Sequence, residues 1–237
     1  MTVADLVAQV RSELAARVDP QYRQGALNFF REPVDLWGVR GPHVKQIARA
    51  AYHEVKSWPP SQRDEFAAEL WDSGKLEEAS VAIYVYNRFR RQYAAREFRL
   101  FKRWIDRYVT NWGACDGVSS WLLAACLENE PALIRRLPAW TRSRNRWKRR
   151  AAIVSLLQEA KQGRHTAAIL GIAGRLLGDA DDMVQKGVGW VLKETYPKRP
   201  REVVAFLKPR AAATPRLVLR IAAEKMTARD RAAVLAK

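Results

Sequence analysis

The sequence predicts an all-α protein built from stacked helix pairs, on three observations. Apolar residues recur at helical spacing, no β-branched alternating run with hairpin turns occurs, and proline and glycine punctuate the chain at intervals suited to ordinary helices. Phe98, Phe101, Trp104, Ile105 and Tyr108 recur at steps of three and four, which is one face of a helix. Stretches without clear period, such as 151–157, are rich in Ala, Leu and Arg, which are good helix formers. In chain order, helix ends are expected at Asp19-Pro20, Glu32-Pro33, Trp58-Pro59-Pro60, Ser73-Gly74, Glu130-Pro131, Gly178 and Tyr196-Pro197. No low-complexity linker divides the chain, so a single α-helical repeat domain over 1–237 is expected.

The helices also recur in sequence. Asp116-Gly-Val-Ser-Ser-Trp-Leu-Leu, Arg150-Ala-Ala-Ile-Val-Ser-Leu-Leu and Lys186-Gly-Val-Gly-Trp-Val-Leu-Lys each start charged, continue small and end apolar. Their starts lie 34 and 36 positions apart, a spacing that suits paired-helix repeats of the HEAT type. Such repeats stack into a solenoid, and the charge of this chain predicts a concave basic groove. With 42 Lys and Arg against 25 Asp and Glu, the net charge of +17 makes a polyanion the first partner to consider, nucleic acid above all.

Several classes are disfavoured by the same sequence. Cys115 and Cys126 give neither a disulfide framework nor zinc-ligand spacing, and His43, His53 and His165 are scattered, so no metal site is expected. The N-terminal MTVADLVAQVRSELAARV is interrupted by charges and has no apolar signal core, and no apolar run reaches membrane-spanning length. The expectation is a cytoplasmic protein, nucleoid-associated when bound to DNA and without membrane contact. Its high Ala and Arg content fits a GC-rich bacterial genome. A groove within one chain needs no second copy, so a monomer is expected.

Two segments carry candidate chemistry. Arg142, Arg144, Arg146, Lys148, Arg149 and Arg150 place six bases in nine residues with no acid among them, interleaved with Trp140 and Trp147. Basic runs are often solvated surface, but the interleaved aromatics favour phosphate binding. In Asn111-Trp-Gly-Ala-Cys-Asp, Asn111 is a good N-cap, which places Trp112 and Asp116 one turn apart on one helix face. Taken singly, Trp112 reads as core and Asp116 as a group complementing the helix dipole. Lys186 and Trp190 repeat the four-residue spacing, with Arg146 and Arg150 between. Stacked in register, these helices bring an aromatic–carboxylate pair, a guanidinium and an aromatic–ammonium pair to one surface.

Leu36-Trp-Gly-Val-Arg, Asn111-Trp-Gly-Ala-Cys-Asp, Trp147-Lys-Arg-Arg-Ala-Ala-Ile, Gln185-Lys-Gly-Val-Gly-Trp-Val-Leu-Lys and Thr214-Pro-Arg-Leu-Val-Leu-Arg-Ile-Ala together resemble the AlkD family of DNA alkylation repair glycosylases. The resemblance runs in order over most of the chain. It implies HEAT-like repeats around duplex DNA and hydrolysis of the N-glycosidic bond of N3- and N7-alkylpurines, with no metal or nucleotide cofactor. It further implies an active site of Trp112, Trp190 and Asp116 with Arg150 as a DNA contact, and a lesion that stays outside any enclosing pocket. Arg146, Arg149, Lys186 and Lys148 are expected to hold phosphates beside Arg150. Gly113 and Cys115 are smaller or less polar than their family counterparts, which raises the expectation that bulky minor-groove adducts are tolerated.

The chemistry accounts for the absence of stronger catalytic motifs. An N3- or N7-alkylated purine is already cationic and leaves neutral, so it needs no general acid. A carboxylate near the sugar and electron-rich aromatic faces are then sufficient help. No lysine nucleophile is required, so a monofunctional glycosylase is expected. The alternative is a non-catalytic HEAT-repeat scaffold for DNA or an acidic protein, which explains charge and repeats equally well. A metal-dependent nuclease fits poorly, because the acidic cluster Asp179, Asp181, Asp182 reads as a helix N-terminus. RNA is left open by charge, though no RNA-binding motif is visible.

Overall fold

The protein is described from a computed structural model covering residues 1–235. The first helices are α1 (Val3–Ala15), α2 (Pro20–Leu27), α3 (Gly41–Val55), α4 (Pro60–Asp72) and α5 (Leu76–Asn87). They are followed by α6 (Ala95–Arg107), α7 (Trp112–Gly117), a π-helical turn (Val118–Leu123) and α8 (Ala124–Asn129). Successive 3-10 turns over Pro131–Arg142 lead into α9 (Arg146–Val154), α10 (Leu157–Gln162), α11 (Thr166–Leu176) and α12 (Asp182–Thr195). The chain closes with α13 (Pro200–Leu207), α14 (Arg216–Ala222) and α15 (Ala228–Leu235). Among the described residues there is no strand, and Asp35 and Lys75 form one isolated bridge. The all-α expectation holds.

Local chemistry starts and stops these helices where the sequence places the signals. Thr2 and Asp5 form a reciprocal capping box at the head of α1, satisfying amides that have no partner inside the helix. Asp19 caps α2 with Pro20 at its first position, and Pro59 and Pro60 open α4. Ser73 and Gly74 end α4, with Gly74 at φ 71°, in the left-handed region that favours glycine. Asp181 accepts from the amides of Met183 and Val184 and starts α12, so the acidic cluster there is the helix N-terminus that the sequence indicated.

The chain forms two compact units. The first comprises residues 1–92 and 107–117, the second 93–106 and those from 118 onward. In the first unit α5 is the central element, packed on α3 and α4, with α1 against α3 and α4 and α7 lying on α5. Eight of the twelve residues of α5 are buried, including two consecutive glutamates, Glu77 and Glu78. At the α7 contact Gly117 lies close against α5, where a Cβ would stand 3.1 Å from Ile83 Cδ1, tighter than an ordinary contact.

In the second unit α12 is the central element, with α9 and α14 packed on it and α11 lying against both α12 and the 131–142 turns. The second and third sequence repeats are thus neighbours, with α9 packed on α12. Two glycines make this spacing possible. Residues two apart on a helix point to nearly opposite sides. Gly187 faces α9, where a Cβ would meet Arg150 Cγ and Val154 Cγ2 at 3.3 Å, while Gly189 faces α14, where it would meet Ile221 Cβ at 2.8 Å and the Val218 carbonyl at 3.1 Å.

Replacing Gly189 with alanine sets helix propensity, worth about 1 kcal/mol in favour, against overpacking on a β-carbon and a carbonyl that cannot swing aside. The clash wins. Gly189→Ala is expected to destabilise by about 1–2 kcal/mol, measured as a lower urea midpoint at unchanged slope. An unchanged or higher midpoint would mean that α14 yields freely at this contact.

Candidate active site and nucleic-acid interface

Trp112 and Asp116 lie on α7 in the first unit. Asn111, only 5% exposed, caps this helix. Its Oδ1 accepts from the Ala114 amide at 2.9 Å and its carbonyl from the Cys115 amide at 3.1 Å. The N-cap expected from sequence is therefore present, and it sets Trp112 and Asp116 one turn apart on one face. Both side chains are partly exposed, whereas Cys115 is fully buried.

Trp112 is held by a segment that follows α2. Its indole stacks on Phe30 with ring centroids 5.4 Å apart and planes inclined by 23°, and its Nε1 donates to the Phe29 carbonyl at 3.4 Å. Gly113 fits beneath this stack, where a Cβ would stand 3.3 Å from Asn111 Oδ1 and 3.7 Å from Phe30. Trp112 forms part of the wall of an open cleft of about 260 Å³, with Tyr22, Phe29, Phe30 and Tyr84 among its other walls. The reading of Cys115 as opening the surface for large adducts is corrected by its burial, since its side chain is core. Only Gly113 of that pair lies at the surface.

Trp190, Arg150, Arg146, Arg149, Lys186 and Lys148 belong to the second unit. Trp190 is partly exposed on α12, one turn from Lys186. Arg150 is only 5% exposed. Its Nη1 donates to the Met183 carbonyl and its stem packs on Gly187. It is thus held against α12 rather than displayed on an open surface.

The rest of the basic run differs from the sequence expectation in a specific way. Arg146 pairs with Asp181 at 3.2 Å, Lys148 with Asp106 at 2.8 Å, Arg149 with Asp179 at 2.7 Å and Lys186 with Asp182 at 3.1 Å. These four bases, read as bare phosphate contacts, each have a carboxylate partner. Asp106 also receives Lys102 at 2.8 Å. Burial raises its pKa, but the hydrogen bonds from Lys102 and Lys148 outweigh this and hold it below the ordinary carboxylate value. The interleaved Trp140 and Trp147 are core residues, each 5% exposed, with Trp140 tilted against Phe98 at 5.2 Å. Arg142 and Arg144 are the exposed members of the run.

Arg149 is a staple. Its Nε and Nη2 grip both oxygens of Asp179 at 2.7 and 3.1 Å, and its Nη1 donates to the carbonyl of Ser143 at 2.8 Å. The Asp179 hydrogen bond holds the guanidinium pKa above its ordinary value. One side chain thereby fixes the turn before α9 to the turn before α12. Arg149→Ala is expected to cost about 2–3 kcal/mol, read as a lower melting temperature. Asp179→Asn should cost less, because one acceptor oxygen is kept. If Arg149→Ala melts with the native chain, the staple is not structural.

Residues 10–226 match the family described as DNA alkylation repair enzyme. The chain belongs to that family. Membership gives it a role in the repair of alkylated DNA. Solved structures agree in fold. One, described as a predicted DNA alkylation repair enzyme from Enterococcus faecalis, aligns with TM-score 0.80 at 15% identity over 90% of this chain and 98% of its own. AlkD2 from Streptococcus mutans aligns with TM-score 0.68 at 15% identity, over 96% of this chain and 100% of its own. A further S. mutans protein, smu.31, gives TM-score 0.61 at 16% identity, over 90% and 100%. No curated protein sequence matches significantly.

Against this family background, two features escaped the sequence. The π-helical turn at Val118–Leu123 begins two residues after Asp116. Its Ser119 and Ser120 are buried, and the Ser120 carbonyl accepts from Gln158 Nε2 at 3.4 Å. Such turns recur at functional sites. The aromatic pair Phe29-Phe30 also went unread, although two phenylalanines between turn signals are visible in the sequence. Among the described residues no group of three or more metal-ligating side chains and no membrane-spanning helix occurs.

Proposed function

We propose that this chain is a monofunctional DNA glycosylase acting on N3- and N7-alkylated purines in duplex DNA. The observation that carries the proposal is the Asn111-capped helix, which sets a carboxylate and an indole one turn apart beside an aromatic cleft. In the reaction the bond between the sugar C1′ and the purine nitrogen breaks, and its electron pair passes to the base, discharging the cation. The sugar becomes an oxocarbenium ion. Asp116 stabilises that charge and orients the water whose oxygen bonds to C1′, the released proton passing through the carboxylate to solvent. The electron-rich face of Trp112 adds attraction for the cationic group, and Trp190 is assigned the same work, about 0.5–2 kcal/mol each when desolvated.

Arg150, with Arg146, Arg149, Lys186 and Lys148, is assigned to the DNA backbone. The ion pairs qualify that assignment, because exposed pairs are worth about 1 kcal/mol or less and exchange readily with a phosphate. The more enclosed Arg149–Asp179 pair is less ready to open, so Arg149 contributes to binding mainly through fold.

The test is release of free N7-methylguanine or N3-methyladenine from methylated duplex DNA by the full chain. Base is expected without metal, and the strand is expected to stay intact until alkali or a lyase is added. Tight, salt-dependent DNA binding with no base released from any alkylated duplex would establish the scaffold reading instead.

A further inference from the structure

The Thr214-Pro-Arg-Leu-Val-Leu-Arg-Ile-Ala segment has no part in the roles assigned above. It carries α14, which packs on α12 within the second unit. The two helices run parallel. Gly189 lies against Val218 and Ile221, and one turn further along both helices Lys193 Nζ meets Glu224 Oε2 at 2.9 Å. Trp190 therefore stands level with Arg220 and Ile221. On α12, Gly187 faces α9 and Gly189 faces α14, and the partly exposed Lys186, Trp190 and Lys193 lie between these two contacts on one outward face. On α14, Val218, Leu219 and Ala222 are buried, which turns Arg216 and Arg220 outward. Glu224 follows Arg220 by about one turn, and its bond to Lys193 shows that this side of α14 adjoins the outward face of α12.

Arg220 differs from the other bases around Trp190 in its partners. Among the described residues it makes no ion pair and no hydrogen bond, whereas Lys186 is paired with Asp182, Lys193 with Glu224, and Arg150 donates to the Met183 carbonyl. Arg216, one turn before it, donates to the Leu235 carbonyl at 3.2 Å. Glu224, the acid one turn after it, is held by Lys193. A paired base must release its carboxylate before it can take a phosphate. A free guanidinium gives up only water, and its planar fork matches two phosphate oxygens. Resting on the reading that sets duplex DNA against Trp190, we infer that Arg220 holds a backbone phosphate next to the damaged nucleotide, extending the DNA-binding surface onto α14. A ring face and a free cation side by side suit the sugar and the phosphate of one nucleotide. Arg220 touches no bond that breaks, so it contributes affinity and register and leaves the chemical step to other groups.

The experiment measures binding of the full chain to a methylated duplex over a range of salt concentrations, for the native protein, Arg220→Gln, Arg220→Lys and Arg201→Gln. Arg201 is an exposed base on α13, whose Phe206 lies against Gly174 of α11, so its loss lowers the net charge equally at another place. Arg220→Gln is expected to weaken binding about fivefold to tenfold near 0.1 M salt and to reduce the slope of log affinity against log salt by about 0.9, the change for one phosphate contact. Arg220→Lys should keep the slope, because the charge remains, and lose less affinity. Arg201→Gln should keep both. All three variants should melt with the native chain, and Arg220→Gln saturated with DNA should release base at nearly the native rate. A native affinity and slope in Arg220→Gln overturns the inference. An equal loss in Arg201→Gln also overturns it, because the effect would then be net charge alone. Either outcome leaves the glycosylase reading intact. An Arg220-dependent slope in a chain that releases no base from any alkylated duplex supports the phosphate contact and overturns the glycosylase reading.

Discussion

Replacing Asp116 with asparagine is expected to lower release of N7-methylguanine from methylated duplex DNA about 100- to 1,000-fold, the usual scale for removing one preorganised electrostatic group. The amide keeps the shape of the carboxylate and removes its charge, so the oxocarbenium ion loses its stabilising partner and the water its acceptor. The loss should fall on the single-turnover rate. Affinity for DNA should hold or rise slightly, because a negative charge near phosphates is removed. A structural role predicts another pattern. Asp116 lies in a short helix behind a positive N-terminus, where its charge is worth about 0.3–1 kcal/mol to stability. If that were its whole purpose, the variant would melt earlier and release base at nearly the native rate. Trp112→Phe is the graded comparison, expected to lose about tenfold because a phenyl face attracts cations less strongly than indole. Near-native turnover in Asp116→Asn would remove the carboxylate from the mechanism.

What the sequence disclosed depended on how far apart the cooperating residues lie. Helix ends were legible because their signals are local. Asp19-Pro20, Pro59-Pro60 and Asp181 act within three residues of themselves. The Asn111 cap was legible for the same reason, and with it the shared face of Trp112 and Asp116. The basic run shows the limit. Its charge was plain, but its neutralising carboxylates lie 30 to 42 residues away for Arg149, Arg146 and Lys148, and only packing brings them together. Trp140 and Trp147 looked like interleaved contacts because burial cannot be read from adjacency. The π-helical turn after Asp116 has no composition that marks it. The spacing of the repeats was legible, since Arg150 of one does meet Gly187 of the next.

The loop of Leu36-Trp-Gly-Val-Arg shows how a motif can matter without touching substrate. Its three successive amides, from Trp37, Gly38 and Val39, converge on the carboxylate of Glu77 at 2.9, 2.8 and 3.0 Å. Consecutive amides can converge on one anion when the chain passes through the left-handed region. Gly38 has φ 92°, and any Cβ there would fall 2.5 Å from Arg23 Cβ. Glu78 holds the other side of the loop, its Oε1 accepting from Trp37 Nε1 at 3.0 Å and its Oε2 from Arg11 at 2.9 Å. Glu77 is 6% exposed, and truncating it leaves three amides, two of them in buried bonds, without acceptors at about 1–3 kcal/mol each. Relaxation and water recover part of that sum, so Glu77→Ala is expected to destabilise by about 3–5 kcal/mol. Glu77→Gln keeps one acceptor oxygen but turns an N–H₂ toward the remaining amides, so its cost should be smaller yet still clear. Both losses are read from urea unfolding. A Glu77→Ala chain as stable as the native one would show that the loop finds other acceptors, and the convergence of amides on Glu77 would then have no energetic meaning.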